Sequence, residues 1–225
     1  MIRVFALTAM AELILSGCTT PSDHFCFYAN GARLDDTIES AVRIGLRFHA
    51  SRGSMSVGRS AGGLPPDSPV ENEATILRDT RGLIETYHDA SRFSMRCIVV
   101  APCSPLSVSR DLMRESAVLA RQHGVSLRAH LARERRRRRL LPREVQPHPR
   151  RISRGTRLPA FDLAAPGFAG ALHDPVAALV FCTPARVSLS VIDGHIVARD
   201  GHLTDIDLPV IIEHHNRLAH ELLTS

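Results

Sequence analysis

The chain has 225 residues, 44% of them hydrophobic, which suffices for one substantial core or two small ones and excludes a chain that is disordered throughout. Its formal charge of +5 suggests an acidic partner, but 12 of the 28 basic residues lie between Arg128 and Arg157. The rest of the chain has 16 arginines and 21 acidic residues, a formal charge of −5. The positive charge is therefore confined to one local tract, unlike the distributed charge of a nucleic-acid-binding domain.

The first predicted element is an amphipathic helix that ends near Ser16. Its apolar positions at helical spacing are Val4, Leu7, Ala11, Ile14 and Leu15. The same segment also resembles a bacterial lipoprotein signal, because Arg3 precedes an apolar run that ends at Cys18, although Glu12 interrupts that run. No stretch reaches the roughly 20 apolar residues that cross a bilayer.

Strands and helices alternate through the first 130 residues. The predicted strands are 18–23, 46–50, 95–101 and 125–130, and the helices that follow the first three are 35–45, 69–88 and 109–122. This alternation predicts the α/β class with a parallel sheet, because parallel neighbours need crossover connections. A doubly wound sheet and part of an eight-stranded barrel both fit. A polar, glycine-rich loop is predicted at 51–67.

Residues 131–159 are rich in arginine and proline and show no periodicity, so no core element is predicted there. Strands follow at 160–163 and 175–182. Residues 187–192 and 195–199 flank Asp193-Gly194, a strong hairpin signal. An amphipathic helix covers 208–223. The predicted organisation is an α/β region at 1–130, a basic junction at 131–159, and a strand-rich region with a terminal helix at 160–225.

The five cysteines are odd in number, widely spaced and mostly in apolar surroundings. They are Cys18, Cys26, Cys97, Cys103 and Cys182. This distribution predicts buried, reduced thiols and not a disulfide framework. Reduced thiols favour the cytoplasm.

Long strings of the sequence resemble a known family. They are AMAELILSGCTTPSDHFCFYANGARLDD at 9–36, RFHASRGSMSVGRSAGGLPP at 47–66, VVAPCSPLSVSRDLMRE at 99–115 and GFAGALHDPVAALVF at 167–181. In this order they resemble the metal-dependent amidohydrolases, and within them the 8-oxoguanine deaminase and triazine hydrolase group. The resemblance implies a (β/α)₈ barrel with a small β-sandwich. Residues 1–130 would supply barrel units two to five, and the C-terminal hairpin would be a remnant of the sandwich.

The resemblance also implies a reaction. Members of the group use one divalent metal, commonly zinc, to activate water that attacks a ring carbon of a purine or triazine and releases ammonia or another leaving group. The implied ligands are a His-x-His pair on the first strand, a histidine after the fifth and an aspartate after the eighth. His130, within RAHLA at 128–132, resembles the histidine of the family's HLAE string and is the one ligand carried over.

The sequence departs from the family pattern at several points. The family's proton-shuttling glutamate falls on Arg133, and a guanidinium stays protonated at any working pH. The His-x-His strand would precede Met1, and 131–159 is too short for strands six to eight. One ligand cannot hold a catalytic zinc, which normally takes three protein ligands. We therefore expect little activity and no stably bound metal in this chain.

Other candidates have two interpretations each. Asp23-His24 follows a predicted strand, so His24 is a candidate substrate-binding residue, with a surface loop as the alternative. Arg52, in the glycine-rich loop, is a second candidate, and the resemblance makes that loop an active-site lid or subunit contact.

Four side chains near the third predicted strand could suggest a nucleophilic site, and they are Cys103, Ser104, Ser107 and Ser109. Strand-end packing and helix capping are preferred, because no Gly-x-Ser-x-Gly elbow surrounds them. His214 and His215 are predicted on a solvated helix surface. The run from Arg135 to Arg139 could bind nucleic acid electrostatically, although a junction or a reading-frame artefact is preferred.

Overall fold

The structure is a computed structural model that describes residues 1–130, 157–161 and 186–224. It divides into two compact units. The first unit comprises Met1–Pro21, Glu39–Arg47 and Arg154–Ser225, and the second comprises Ser22–Ile38 and Phe48–Ser153. Each unit therefore combines segments that are distant in sequence.

The second unit is built on a parallel sheet with the order β1 (Phe48–Ser54), β2 (Arg96–Pro102) and β3 (Ser126–Leu127). The apolar residues from Ile98 to Ala101 in β2 are all buried, as expected for a strand covered on both faces. Ser22 and Phe25 form isolated parallel bridges with His49 and Arg52 of β1. Successive parallel segments thus lie side by side, which confirms the predicted α/β class.

Helix α2 (Leu34–Ile44) precedes β1, α3 (Glu73–Tyr87) connects β1 to β2, and α4 (Arg110–Gln122) connects β2 to β3. The hydrophobic core beside α3 and α4 contains Ile76, Val108, Leu112, Met113 and Ala117. The apolar positions of both helices recur at helical spacing, so each presents one buried stripe while its other face carries charged residues.

Several predicted boundaries are wrong. β1 runs four residues beyond its predicted end at 50, so the start of the predicted loop is strand. α3 begins at Glu73 and not at 69, because the Asn72 side chain accepts a hydrogen bond from the Thr75 N–H and caps the helix. The predicted strand 18–23 is reduced to a bridge at Ser22, and β3 covers only two residues of 125–130.

The start of α4 is fixed by its N-cap. The Ser109 hydroxyl oxygen accepts a hydrogen bond from the Leu112 N–H at 2.9 Å, which confirms the predicted capping role. We expect Ser109→Ala to lower the free energy of unfolding by about 1 kcal/mol, because one helical N–H loses its partner. Urea denaturation measures this, and Ser109→Asp, which retains a capping oxygen, is the control. Equal losses in both variants would contradict the capping role.

The first unit contains α1 (Ile2–Leu15), a four-stranded antiparallel sheet and α5 (Leu208–Thr224). The sheet has the order β4 (Arg157–Ala160), β5 (Leu189–Ile192), β6 (His195–Arg199) and β7 (His202–Leu203). Asp193 and Gly194 both have positive φ angles, of 52° and 81°, as a type I′ hairpin turn requires. The predicted hairpin is confirmed. The predicted strand 160–163 is shifted, since β4 ends at Ala160.

The helices of the first unit also pack on each other. In α1, the residues Leu7, Ala11, Ile14 and Leu15 are buried, which confirms the predicted helix. The helix is only weakly amphipathic, because Val4 is half-buried and Leu13 is exposed on the opposite side. The His215 ring of α5 lies 4.5 Å from the Phe5 ring, and its Nδ1 lies 3.0 Å from the Thr8 hydroxyl. The prediction of a solvated surface is therefore wrong for His215. Among the described residues, no helix is both long and apolar enough to span a membrane.

Candidate functional site

Four side chains with nitrogen or sulfur donors meet at one edge of the parallel sheet in the second unit. His24 and Cys26 lie on the segment that bridges to β1, Cys103 directly follows β2, and His130 follows β3. The carboxyl ends of parallel strands share one edge, which is where α/β folds place their sites. We call these four residues the His–Cys cluster.

Short distances connect the members of the His–Cys cluster. The Cys26 and Cys103 Sγ atoms are 3.5 Å apart, and the Cys103 Sγ lies 3.9 Å from the His130 Nδ1. One donor atom from each of His24, Cys26 and Cys103 lies within 4.8 Å of the others. The His24 and His130 ring centroids are 4.2 Å apart. His24, Cys26 and Cys103 therefore lie close enough together to bind one metal ion.

Backbone contacts hold the cluster in place. The His130 N–H donates to the Cys103 carbonyl at 2.8 Å, and the Cys103 N–H donates to the Ser54 carbonyl at 3.0 Å. Gly53 allows the His24–Cys26 segment to approach β1 closely, because a Cβ atom at residue 53 would lie 2.3 Å from the Phe25 carbonyl oxygen. Only glycine fits this contact without movement of the backbone.

Burial favours the neutral forms of His24 and Cys103. Burial, and then the neighbouring His130, lower the pKa of His24 to about 4, while a backbone hydrogen bond at Ala101 opposes the change. Burial, and then the Cys26 thiol, raise the pKa of Cys103 to about 12. The His24 Nε2 is buried and has no hydrogen-bond partner. Near neutral pH, His24 thus offers an unprotonated nitrogen.

Asp23 lies next to the cluster. Its Oδ1 accepts a hydrogen bond from the Ser51 N–H at 2.7 Å, and its Oδ2 is buried without a partner. Burial raises the pKa of Asp23 to about 6, although the Ser51 hydrogen bond and the Arg128 charge oppose the rise. Asp23 and His24 lie at the carboxyl edge, as the sequence predicts. The substrate-binding role of His24 stays a prediction.

Arg52 is placed differently from its prediction. Its guanidinium has no exposed surface and forms ion pairs with Glu71 at 2.7 Å and with Asp79 at 2.8 Å. It also stacks 4.0 Å from the centre of the Tyr28 ring. Burial alone would lower the pKa of Arg52, but the hydrogen bonds and charge of Glu71, together with Tyr28, raise it. We call Arg52, Glu71 and Asp79 the Arg52 ion cluster. The two carboxylates accept hydrogen bonds from the Arg52 guanidinium, so these N–H groups are not available to a substrate.

The sequence prediction missed the pairing of Cys26 with Cys103. One signal was available, because His24 and Cys26 are two residues apart in an extended segment and so face the same side. Of the four described cysteines only Cys103 is buried, so the prediction of buried thiols fails for Cys18, Cys26 and Cys97. Some predicted positions lie outside the described residues, and they are Arg133, the run from Arg135 to Arg139, Cys182 and the strand 175–182.

Comparisons with known proteins agree with the sequence resemblance. The 8-oxoguanine deaminase of Pseudomonas aeruginosa is 44% identical over 126 residues, which are 55% of this chain and 28% of that protein. The hydroxydechloroatrazine ethylaminohydrolase of Pseudomonas sp. (strain ADP) is 41% identical over 128 residues, 56% of this chain and 27% of that protein. The matched region thus spans little more than a quarter of each relative.

Solved structures show the same fold. The atrazine chlorohydrolase of Arthrobacter aurescens, complexed with zinc, aligns with a TM-score of 0.86 at 18% identity and covers 96% of this chain and 76% of that one. The adenosine deaminase of Xanthomonas campestris, with bound zinc, aligns with a TM-score of 0.77 at 11% identity, covering all of this chain and 76% of that one. The pattern of the amidohydrolase family matches residues 1–140, well over half of the sequence, and the chain therefore belongs to the amidohydrolase family.

Proposed function

We propose that this chain is a barrel segment of a metal-dependent amidohydrolase that hydrolyses a ring C–N bond in a cyclic amidine, such as an 8-oxoguanine-like purine or a triazine. One observation carries the proposal: in a chain of this family, Asp23, His24 and His130 converge at the carboxyl edge of a parallel sheet. The relatives with 44% and 41% identity support the substrate class, because their names specify an oxidised purine and a triazine product.

The proposed organisation follows the predicted boundaries. Residues 1–130 would supply barrel units two to five, supported by the parallel order of the bridging segment, β1, β2 and β3. Residues 131–159 would form a basic junction. Residues 160–225 would supply a segment of the small β-sandwich and the terminal helix, supported by the antiparallel pairing of β5 and β6.

The residues around His130 do not fit the metal site that the family resemblance implies. That site takes histidines and one aspartate, and among the described residues only His130 corresponds to it. The neighbours of His130 are the Cys103 thiol and the His24 ring. A catalytic zinc normally takes three protein ligands and a water molecule, and one matched histidine does not supply that arrangement. We therefore propose that the chain by itself turns over ring substrates slowly.

The test is release of ammonia from 8-oxoguanine and from an aminotriazine by the purified chain. We expect a rate at least about 1000-fold below the typical enzymatic value of about 10 per second. His130→Ala should remove the remaining release, because this residue is the one matched to the family site. His123→Ala, at the end of α4, is the matched control and should leave the rate unchanged.

Three outcomes would contradict the proposal. An ordinary enzymatic rate would show that the expected impairment is wrong. Release that persists in His130→Ala, or no release from either ring at high protein concentration, would contradict the proposed reaction.

A further inference from the structure

The His–Cys cluster has a donor composition that differs from the family's implied ligand set. Two of its donors are thiols, and their Sγ atoms are 3.5 Å apart without a disulfide bond. Two sulfurs bound to one tetrahedral zinc, each at about 2.3 Å, lie about 3.8 Å apart. The observed separation needs only a few tenths of an ångström of adjustment to match that geometry.

One nitrogen donor completes a set of three. The His130 Nδ1 lies 3.1 Å from the Cys103 carbonyl oxygen, which can only accept a hydrogen bond, so this nitrogen carries the hydrogen and has no lone pair for a metal. His24 places a ring nitrogen within 4.8 Å of both sulfurs. Its Nε2 is buried without a hydrogen-bond partner, which leaves a lone pair free to bind. An unsatisfied buried nitrogen is costly unless a ligand satisfies it.

We propose that His24, Cys26 and Cys103 form a site for a thiophilic divalent metal ion, with zinc as the preferred ion. Thiolate and imidazole ligands in this ratio select zinc over the hard cations magnesium and calcium, which prefer oxygen. His24 and Cys26 are partly exposed, so an ion can reach the buried Cys103 from their side.

The charge balance of the site is favourable. Binding of the ion displaces one proton from each thiol to solvent, and two thiolates then neutralise the two positive charges of the metal. The bound site carries no net charge and is compatible with the positive charge of Arg128, which acts on His24.

The site is separate from the metal site that the family resemblance implies. None of its three ligands matches an implied family ligand, so the expectation of no stably bound metal, which concerned those ligands, does not extend to it. A metal in this site also occupies the His24 nitrogen, so His24 cannot contact a substrate at the same time. The inference does not depend on the proposed substrate, and it predicts a protein that binds metal tightly while it hydrolyses ring substrates slowly.

Cobalt(II) titration of the whole chain, under a reductant that does not bind metal, tests the proposal. We expect about one cobalt ion per chain, an intense near-ultraviolet band from thiolate-to-cobalt charge transfer, and displacement by one equivalent of zinc. Cys26→Ser and Cys103→Ser should each lose most of this band. His24→Ala should weaken the binding at least about tenfold, since one ligand is lost.

Cys97→Ser is the matched control. Cys97 is also a free, partly exposed thiol, but it lies near the amino end of β2, about 20 Å along the strand from Cys103. It should retain the full charge-transfer band. Because Cys103 is buried and its substitution can impair folding, the partly exposed Cys26 gives the decisive variant, with circular dichroism to confirm that it is folded.

Three results would overturn the proposal. They are cobalt binding without a thiolate band, a band that survives in Cys26→Ser, and no metal binding by the reduced chain even though Cys26 and Cys103 form a disulfide when the reductant is removed. None of these depends on ammonia release. The metal site and the proposed reaction can therefore fail independently.

Discussion

Replacement of Arg52 by methionine is expected to lower the free energy of unfolding by about 3–5 kcal/mol, as for other broken buried ion pairs. The guanidinium is fully buried and pairs with both Glu71 and Asp79, whose side chains are only 20% and 15% exposed. Methionine keeps much of the aliphatic stem but leaves two neighbouring carboxylates without that partner. Urea denaturation, followed by circular dichroism, measures the loss.

Arg114→Met is the matched control, because Arg114 forms its ion pair with Asp111 on an exposed helix face where both side chains are more than half exposed. It should cost less than about 1 kcal/mol. Arg52→Lys should also destabilise the protein, since a single ammonium cannot reproduce the paired hydrogen bonds of the guanidinium. If Arg52→Met and Arg114→Met had equal effects, the Arg52 ion cluster would not stabilise the fold.

Gly53→Ala is the second substitution with a large expected effect. The added Cβ would lie 2.3 Å from the Phe25 carbonyl oxygen and 2.6 Å from the Cys26 Cα, so the backbone must move apart. We expect a loss of about 3 kcal/mol, at the upper end of overpacking effects. The shift should also move Cys26 away from Cys103, and the intensity of thiolate-to-cobalt charge transfer reports that movement.

Gly82→Ala is the control for the same chemical change. Gly82 lies on the exposed face of α3, and a Cβ atom there would meet nothing within 4 Å. Alanine is the better helix former, so this variant should gain up to about 1 kcal/mol and keep the cobalt spectrum. A Gly53→Ala protein as stable as Gly82→Ala would contradict the close approach of the two backbone segments.

The features that sequence predicted best are set by neighbouring residues. The apolar run of β2, the Asp193-Gly194 turn and the Ser109 cap each depend on local periodicity or local backbone conformation. The α/β class was predicted correctly for the same reason, since strands that alternate with helices form a parallel sheet.

The features that sequence missed depend on distant contacts. Arg52 was placed in a loop because glycines surround it, whereas pairing with β2 extends β1 through it to Ser54. Cys26 and Cys103 are 77 residues apart in the sequence, and only the register of the sheet brings them together. His130 was identified through the family resemblance and not through its spacing from either cysteine.

The segment that carries His24 and Cys26 is attached to β1 by isolated bridges at Ser22 and Phe25, whereas β1 and β2 pair over their full length. Local opening of this segment breaks few hydrogen bonds and needs no separation of the remaining strands. An ion held jointly by residues of this segment and by Cys103 would couple its opening to the stability of the central strand. Metal availability would then determine whether this edge of the sheet opens independently or together with the sheet.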